Sequence, residues 1–173
     1  MKKLNILIIF LFLLVACNEE SAQKGDSVHK EGTAQPENHQ HASHTEHNPL
    51  SGDLQQRTAI GELPSFLDGK HENVAAVYKI ALDYADVLKW IPCYCGCGET
   101  AGHRSNLDCF IAEIRDEEVL WDDHGTRCLV CMEIAVESAK LAKEGKSIQE
   151  IRKSIDEKYQ EGYSAPTPTD MPV

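Results

Sequence analysis

Six cysteines lie between positions 93 and 131 of this chain, and no other feature limits its fold as strongly. Three of them, from Cys93 to Cys97, form a C-x-C-x-C run directly after Pro92, which ends a predicted helix. Cys128 and the residue three positions later form a C-x-x-C pair, and Cys109 lies between the two groups. Thiols at this density predict a domain held together by metal ions or by disulfides.

Metal binding is the first interpretation of these cysteines. A C-x-C or C-x-x-C pair lets one backbone turn offer two sulfurs to a single ion, and Gly96 and Gly98 permit the tight path that this needs. Thiolates suit soft ions such as Cu(I), and they also bind zinc. One four-coordinate site and a small thiolate-bridged cluster are both compatible with the spacing. The candidate metal ligands, including two histidines that precede the later cysteines, are Cys93, Cys95, Cys97, Cys109, Cys128, Cys131, His103 and His124.

Two other uses of the cysteines stay open. Six is an even number, so three structural disulfides are possible, although Cys93, Cys95 and Cys97 are too close together to pair with one another. Thiol–disulfide exchange is the third interpretation, because a helix N-terminus at Cys128 would stabilise its thiolate. The sequence excludes a c-type haem, since Met132 stands where the attachment signal needs histidine, and it matches no common iron–sulfur spacing. No nucleotide-binding loop is found.

The N-terminus predicts export and a lipid anchor. Lys2 and Lys3 precede an apolar run from Leu4 to Val15, which suits a signal peptide and is shorter than the ~20 apolar residues of a bilayer span. The run ends in Ala16-Cys17, as in lipoprotein signal peptides whose cysteine takes the diacylglycerol. We therefore expect cleavage after residue 16, a lipidated Cys17, and a location on the extracytoplasmic face of a bacterial cell membrane.

Residues 17–60 are polar and predict a disordered tether, because they cannot bury enough apolar surface to offset their ordering entropy. This segment contains histidines that can collect metal ions weakly. The net charge of −11 argues against a nucleic-acid partner and is compatible with attracting cations. The histidines of the segment are His29, His39, His41, His44 and His47.

Residues 61–162 predict a small, mostly α-helical domain of about four helices with a cysteine-rich loop. The first helix is capped by Asn73 and runs to about position 91. A short second helix spans about 105–115 and carries Cys109. The third runs over 128–143 and stops at Gly145, and the fourth opens with a capping box of Ser147 and Glu150. No segment alternates as a half-buried strand does.

Two further segments are interpreted as surface structure. The last residues, 163–173, are rich in proline and predict a flexible tail. Asp122 and Asp123 predict a solvated turn between the second and third helices. Neither segment is expected to take part in a binding site.

The run Pro92-Cys93-Tyr94-Cys95-Gly96-Cys97 reads PCYCGC, and together with Cys17 it resembles the bacterial lipoproteins named after this motif. The resemblance covers roughly residues 63–160. It implies a lipoprotein, the domain boundaries and a functional role for the cysteines, but it implies no reaction. It also takes in Gly102-His103, Asp108-Cys109-Phe110, Asp123-His124 and the pair Cys128 and Cys131.

The sequence therefore predicts a membrane-anchored lipoprotein, not an enzyme, that captures or delivers Cu(I) or zinc through its cysteines. The first alternative is a disulfide-stapled interaction module that docks a membrane protein at the membrane surface. The second is a thiol–disulfide oxidoreductase.

Overall fold

The computed structural model describes residues 44–172 and has a mixed α/β fold. The predicted signal peptide, Cys17 and three of the tether histidines (His29, His39 and His41) lie outside the described residues. Within residues 44–172, no helix is both long enough and apolar enough to cross a bilayer. The elements are β1 (Thr45–His47), β2 (Leu54–Ala59), α1 (Glu72–Asp83), α2 (Ala85–Leu88), α3 (Cys97–Thr100), β3 (Ile111–Arg115), β4 (Glu118–Asp122), α4 (Leu129–Lys143) and α5 (Ile148–Tyr159), with 3-10 turns at Ser65–Leu67, Leu107–Cys109 and Asp123–Arg127.

Four antiparallel strands form one sheet in the order β1-β2-β4-β3. β3 and β4 form a hairpin in which Arg115 pairs with Glu118, and Asp116 in its turn adopts a left-handed φ of 44°. The prediction of a mostly α-helical domain is therefore wrong. The sheet also includes residues 45–59, which the sequence analysis assigned to the disordered tether, so the folded domain begins before position 61.

The strands escaped prediction because neither strand of the hairpin alternates in burial. β4 lies inside the sheet and is buried at four of its five positions, and β3 is interrupted by a bulge between Ile111 and Glu113.

The predicted helix over 105–115 is also wrong. The Asp108 carboxylate does accept the N–H of Ser105, at 3.2 Å, but only a 3-10 turn follows. Beyond that turn, pairing with β4 satisfies the backbone groups that a helix would have paired internally.

The two C-terminal helices match their prediction. Cys128 caps α4, and Gly145 follows the end of this helix with a φ of +83°, which glycine adopts without steric penalty. Both hydrogen bonds of the capping box between Ser147 and Glu150 are present at the start of α5. The first predicted helix differs in detail, because it is capped by His71 rather than Asn73 and is interrupted at Tyr84.

A cluster of aromatic rings joins α1 to the sheet. The fully buried Tyr78 packs edge-to-face against Phe110, with ring centroids 5.3 Å apart, and lies 5.9 Å from the ring of Trp121. Its hydroxyl donates a hydrogen bond of 2.7 Å to the backbone carbonyl of Asp122. This contact fixes the end of β4, from which the chain enters the turn that carries His124.

The C-terminal segment does not form the flexible tail that its prolines predicted. Thr167 is buried, its N–H donates to the Cys93 carbonyl at 2.9 Å, and its Oγ1 accepts the Cys93 N–H at 2.9 Å. Ser164 donates its N–H to the carbonyl of Tyr94 at 3.1 Å. Residues 164–167 thus lie along the PCYCGC loop and hold its backbone in place.

Candidate metal centre

The PCYCGC loop connects α2 to α3, and the fold needs a glycine within it, at Gly96, and another directly after it, at Gly98. Gly96 has a φ of +91°, a backbone conformation that residues other than glycine rarely adopt. A Cβ atom on Gly98 would lie 3.3 Å from the Cα atom of Thr167, so this position is limited by the C-terminal segment. The two glycines therefore let three cysteines turn inward within five residues while the C-terminal segment covers the loop.

The sulfur atoms of the two predicted cysteine groups converge. Cys93 Sγ lies 3.3 Å from Cys131 Sγ and 3.5 Å from Cys95 Sγ, and Cys95 and Cys131 are themselves 3.5 Å apart. Cys97 and Cys109 form a second close pair at 3.7 Å. Bonds of about 2.3 Å to one tetrahedral zinc ion place sulfurs about 3.8 Å apart, so these spacings are close to those of a thiolate metal site.

The cysteines in the described part of the chain are all free thiols. Their closest contact, 3.3 Å, is far longer than the disulfide bond length of about 2.05 Å. Three sets of four ligand atoms, each set with all atoms within 4.8 Å of one another, have the spacing needed to hold a metal ion. The first is Cys93, Cys95, Cys97 and Cys109, and the second is Cys95, Cys109, His124 and Cys131.

Cys109 belongs to all three of these sets and is completely buried. Burial raises the pKa of its thiol well above the usual range. Cys95 is more exposed, and hydrogen bonds from Cys109 and Cys128 lower its pKa. Hydrogen bonds from Cys109 and Cys131 also lower the pKa of Cys93, to about 4, so negative charge in the cluster is shared by Cys93 and Cys95. A bound cation would allow the other thiols to ionise as well.

His124 joins the thiol cluster to a carboxylate. Its Nε2 lies 3.9 Å from Cys95 Sγ, and its Nδ1 lies 2.9 Å from the Asp53 carboxylate. The hydrogen bond with Cys95, followed by that with Asp53, raises the pKa of His124 to about 9. In the metal-free cluster the imidazolium therefore pairs with the Cys95 thiolate, and a metal ion bound at Nε2 would displace that proton.

His103 is buried, and neither of its ring nitrogens has a hydrogen-bond partner. Its ring centroid lies 4.8 Å from that of His124. Burial, followed by the charge of His124, lowers the pKa of His103, so its imidazole is neutral, the form that binds metal ions. A third set of ligand atoms within 4.8 Å contains Cys97, His103, Cys109 and His124.

Cys128 adjoins the cluster and also serves as a helix cap. It caps α4, with its sulfur accepting the N–H of Cys131 at 3.4 Å, and it is half-buried. None of the ligand sets found within residues 44–172 includes it. Its hydrogen bond with Cys131 lowers the pKa of Cys128, but the interaction with Cys95 and burial outweigh this effect and raise the pKa to about 11.

Two carboxylates beside the cluster were not predicted. Asp122 is completely buried and accepts hydrogen bonds from the Gln55 side chain at 2.7 Å and the His124 N–H at 2.9 Å, so its interpretation as part of a solvated turn is wrong. Its position directly after an apolar strand was a usable signal. Asp53 lies in the polar segment assigned to the tether, and the sequence offered no signal for it.

The two tether histidines within the described residues lie away from this centre. His44 and His47 are exposed, and His47 lies on β1, where its Nδ1 is 3.1 Å from the Gly52 carbonyl oxygen. Over residues 44–172, neither belongs to a set of metal-ligand atoms.

The fold and the site define a class of protein: a mixed α/β domain that packs a C-x-C-x-C loop and a C-x-x-C helix start around one buried and one half-buried imidazole. A family model described as "Protein of unknown function with PCYCGC motif" matches residues 6–172, and the chain belongs to this family. This confirms the resemblance inferred from the motif. Neither the curated proteins nor the solved structures include a match to the chain.

Proposed function

We propose that this protein is a membrane-anchored, extracytoplasmic lipoprotein that binds Cu(I) or zinc through its clustered thiols, in metal capture or delivery. The observation that carries the proposal is the convergence of Cys93, Cys95 and Cys131 to Sγ distances of 3.3–3.5 Å. Cys109 shares one ligand set with Cys93 and another with Cys131 and His124. Thiolates and a neutral imidazole are ligands that favour soft and borderline ions.

The chemistry of the cluster supports metal binding over a purely structural role. The five thiols that belong to the ligand sets gain little from one another as hydrogen-bond partners, because S–H is a weak donor and sulfur is a weak acceptor. A bound ion would supply strong bonds in their place and could also take one of the unpaired ring nitrogens of His103. The free thiols of the described residues weigh against a module held together by disulfides.

The lipid anchor follows from the sequence alone. Cys17 after an apolar leader would keep the domain at the membrane surface, and the net charge of −11 would raise the local concentration of cations there. Replacing Cys17 by alanine is expected to move the chain from the membrane fraction to the soluble fraction, as measured by immunoblotting of fractionated cells. A variant that stays in the membrane fraction would contradict the anchor.

Thiol–disulfide exchange remains the second candidate because of one specific observation. Cys128 is half-exposed at the start of α4 and Cys131 is buried, which is the usual arrangement of an attacking and a resolving thiol. Against it stands the raised pKa of Cys128, about 11, since a nucleophilic thiol needs a lowered one. A reduction potential for this pair far below those of known redox carriers would exclude the role.

The experiment that tests metal binding compares two cysteine variants of the full chain, purified in detergent without chelator. Elemental analysis and a thiol count are expected to find stoichiometric copper or zinc in the wild type and little in Cys95→Ser, because Cys95 belongs to both thiol-rich ligand sets. Cys128→Ser is the matched control, because it also removes one thiol but keeps the metal, and serine preserves the helix cap. Reduced wild-type protein that takes up neither ion would contradict the proposal.

A further inference from the structure

We propose a second cation site beside the thiol cluster, formed by Asp53, His103 and Asp122. One ligand atom from each of these residues lies within 4.8 Å of the other two. Two carboxylates and an imidazole form a harder ligand set than thiolates and suit a divalent ion such as Mn(II) or Zn(II). The inference builds on the proposed function, because it makes the protein a two-ion centre whose halves differ in metal preference.

All three residues are withdrawn from solvent. The exposed fractions are 6% for Asp53, 4% for His103 and 0% for Asp122. Two carboxylates that share so small a volume repel each other, and each loses the hydration that would stabilise its charge. A cation between them would offset both effects.

The existing partners of the two carboxylates leave this charge only half compensated. Asp53 faces His124 at 2.9 Å and is also paired with Arg127. Asp122 accepts hydrogen bonds only from neutral groups, the Gln55 amide and the backbone N–H of His124, and the ion pairs found over residues 44–172 include none to it. A positive charge is therefore missing on the Asp122 side.

The unpaired side chain of His103 is independent evidence that a cation binds here. Both of its ring nitrogens are buried and lack a hydrogen-bond partner, although the carboxylates of Asp53 and Asp122 are close. A direct hydrogen bond would bring nitrogen and oxygen to about 2.7–3.2 Å. Two bonds of about 2.1 Å to a shared ion hold their ligand atoms about 3.0–4.2 Å apart, which accounts for groups that are near but not bonded.

His103 also belongs to a sulfur-containing set with Cys97, Cys109 and His124. The two sites therefore adjoin at this imidazole. The carboxylates of the harder site come from Asp53, directly before β2, and from Asp122, the last residue of β4. We infer that the thiol cluster takes the soft ion and that the carboxylate site takes a separate divalent cation.

The test uses the full chain in detergent, loaded with one equivalent of Cu(I) and then titrated with Mn(II), whose free form is followed by its electron paramagnetic resonance signal. The wild type is expected to bind one Mn(II) per chain. Asp122→Asn is expected to weaken Mn(II) binding at least tenfold while Cu(I) uptake is kept. Asp123→Asn is the matched control, because Asp123 is adjacent but belongs to no ligand set in the described part of the chain, and it should bind Mn(II) like the wild type.

A second measurement on the wild type does not depend on any variant folding correctly. Electron spin echo envelope modulation (ESEEM) spectroscopy of the bound Mn(II) should show coupling to an imidazole nitrogen, as ligation by His103 requires. Cu(I) uptake without Mn(II) binding, or bound Mn(II) without imidazole coupling, would overturn the second site and leave the proposed function standing. A chain that binds Mn(II) with imidazole coupling but no Cu(I) would support this site and contradict the thiol centre.

Discussion

The imidazole of His124 is held by the carboxylate of Asp53, with 2.9 Å between Nδ1 and Oδ2. Asp53 precedes β2, and His124 follows β4. The two strands pair with each other in a register that places Gln55 opposite Asp122, so the sheet itself brings Asp53 and His124 together. The arrangement turns Nε2 of His124 toward Cys95. A histidine fixed by a carboxylate on one nitrogen, with the other directed at a thiol cluster, is the arrangement that orients metal-binding imidazoles.

Asp53→Asn should weaken Cu(I) binding by about 10- to 100-fold without changing its stoichiometry, because the partner that orients His124 loses its charge. Competition with a chromophoric Cu(I) chelator measures the affinity. Asp123→Asn is the control, since Asp123 also pairs with Arg127 but does not contact the imidazole. Equal losses in both variants would show that the effect comes from Arg127 and not from His124.

Thr167→Val should destabilise the fold by about 1–3 kcal/mol, because the buried N–H of Cys93 loses its hydrogen-bond acceptor. The free energy of unfolding is measured by urea denaturation of the metal-free, reduced chain. A looser PCYCGC loop should also release its ion to a chelator faster than the wild type does.

Ser164→Ala is the matched variant for this segment, because Ser164 contacts the loop through its backbone N–H, which alanine keeps. It should behave like the wild type in both measurements. A Thr167→Val chain with unchanged stability would contradict the role assigned to the C-terminal segment.

Gly125→Ala should destabilise the domain by about 1–3 kcal/mol through steric overlap. A Cβ atom there would lie 2.5 Å from the ring of Phe110 and 2.9 Å from the carbonyl oxygen of Cys109, so the buried Cys109 would be displaced. We therefore also expect weaker metal binding.

A double-mutant cycle checks the cause of the Gly125→Ala effect. Phe110→Leu should cost less stability in the Gly125→Ala chain than in the wild type, because it removes the ring atoms that the new methyl group meets. Additive losses would show that the two positions do not interact, which would contradict the steric explanation.

Cys128→Ala should lower stability by about 0.5–2 kcal/mol and leave the metal content unchanged, because the side chain caps α4 but belongs to no ligand set in residues 44–172. Cys128→Ser should keep the stability, since its hydroxyl can accept the N–H of Cys131. Thermal unfolding and elemental analysis of the two variants distinguish the cap from a ligand. Loss of metal from both would make Cys128 a ligand.

The helices were predictable where local chemistry decides the structure. The capping box of Ser147 and Glu150 and the stop at Gly145 depend on residues within one turn of the helix ends, so α4 and α5 could be identified from the sequence. The strands depend on long-range pairing. Gln55 pairs with Asp122 across a large separation in sequence, and nothing in the polar segment around Gln55 indicates its partner.

The same division applies to the candidate site. Thiols and imidazoles are rare and chemically distinct, so the sequence identified the cysteines and histidines that the structure brings together. Asp53 and Asp122 are two of many acidic residues, and only burial distinguishes them from the solvated ones. Cys128 also caps α4, a role that the C-x-x-C spacing alone does not indicate, and its predicted role as a ligand stays a prediction.

X-ray absorption at the metal edge of the zinc-loaded, full-length chain tests the central claim most directly. The account predicts a first shell dominated by sulfur at about 2.3 Å, with scattering from an imidazole whose nitrogen is at about 2.0–2.1 Å. The sulfur contribution should fall in Cys95→Ser and stay unchanged in Cys128→Ser. A shell of oxygen and nitrogen without sulfur would contradict a thiolate metal centre.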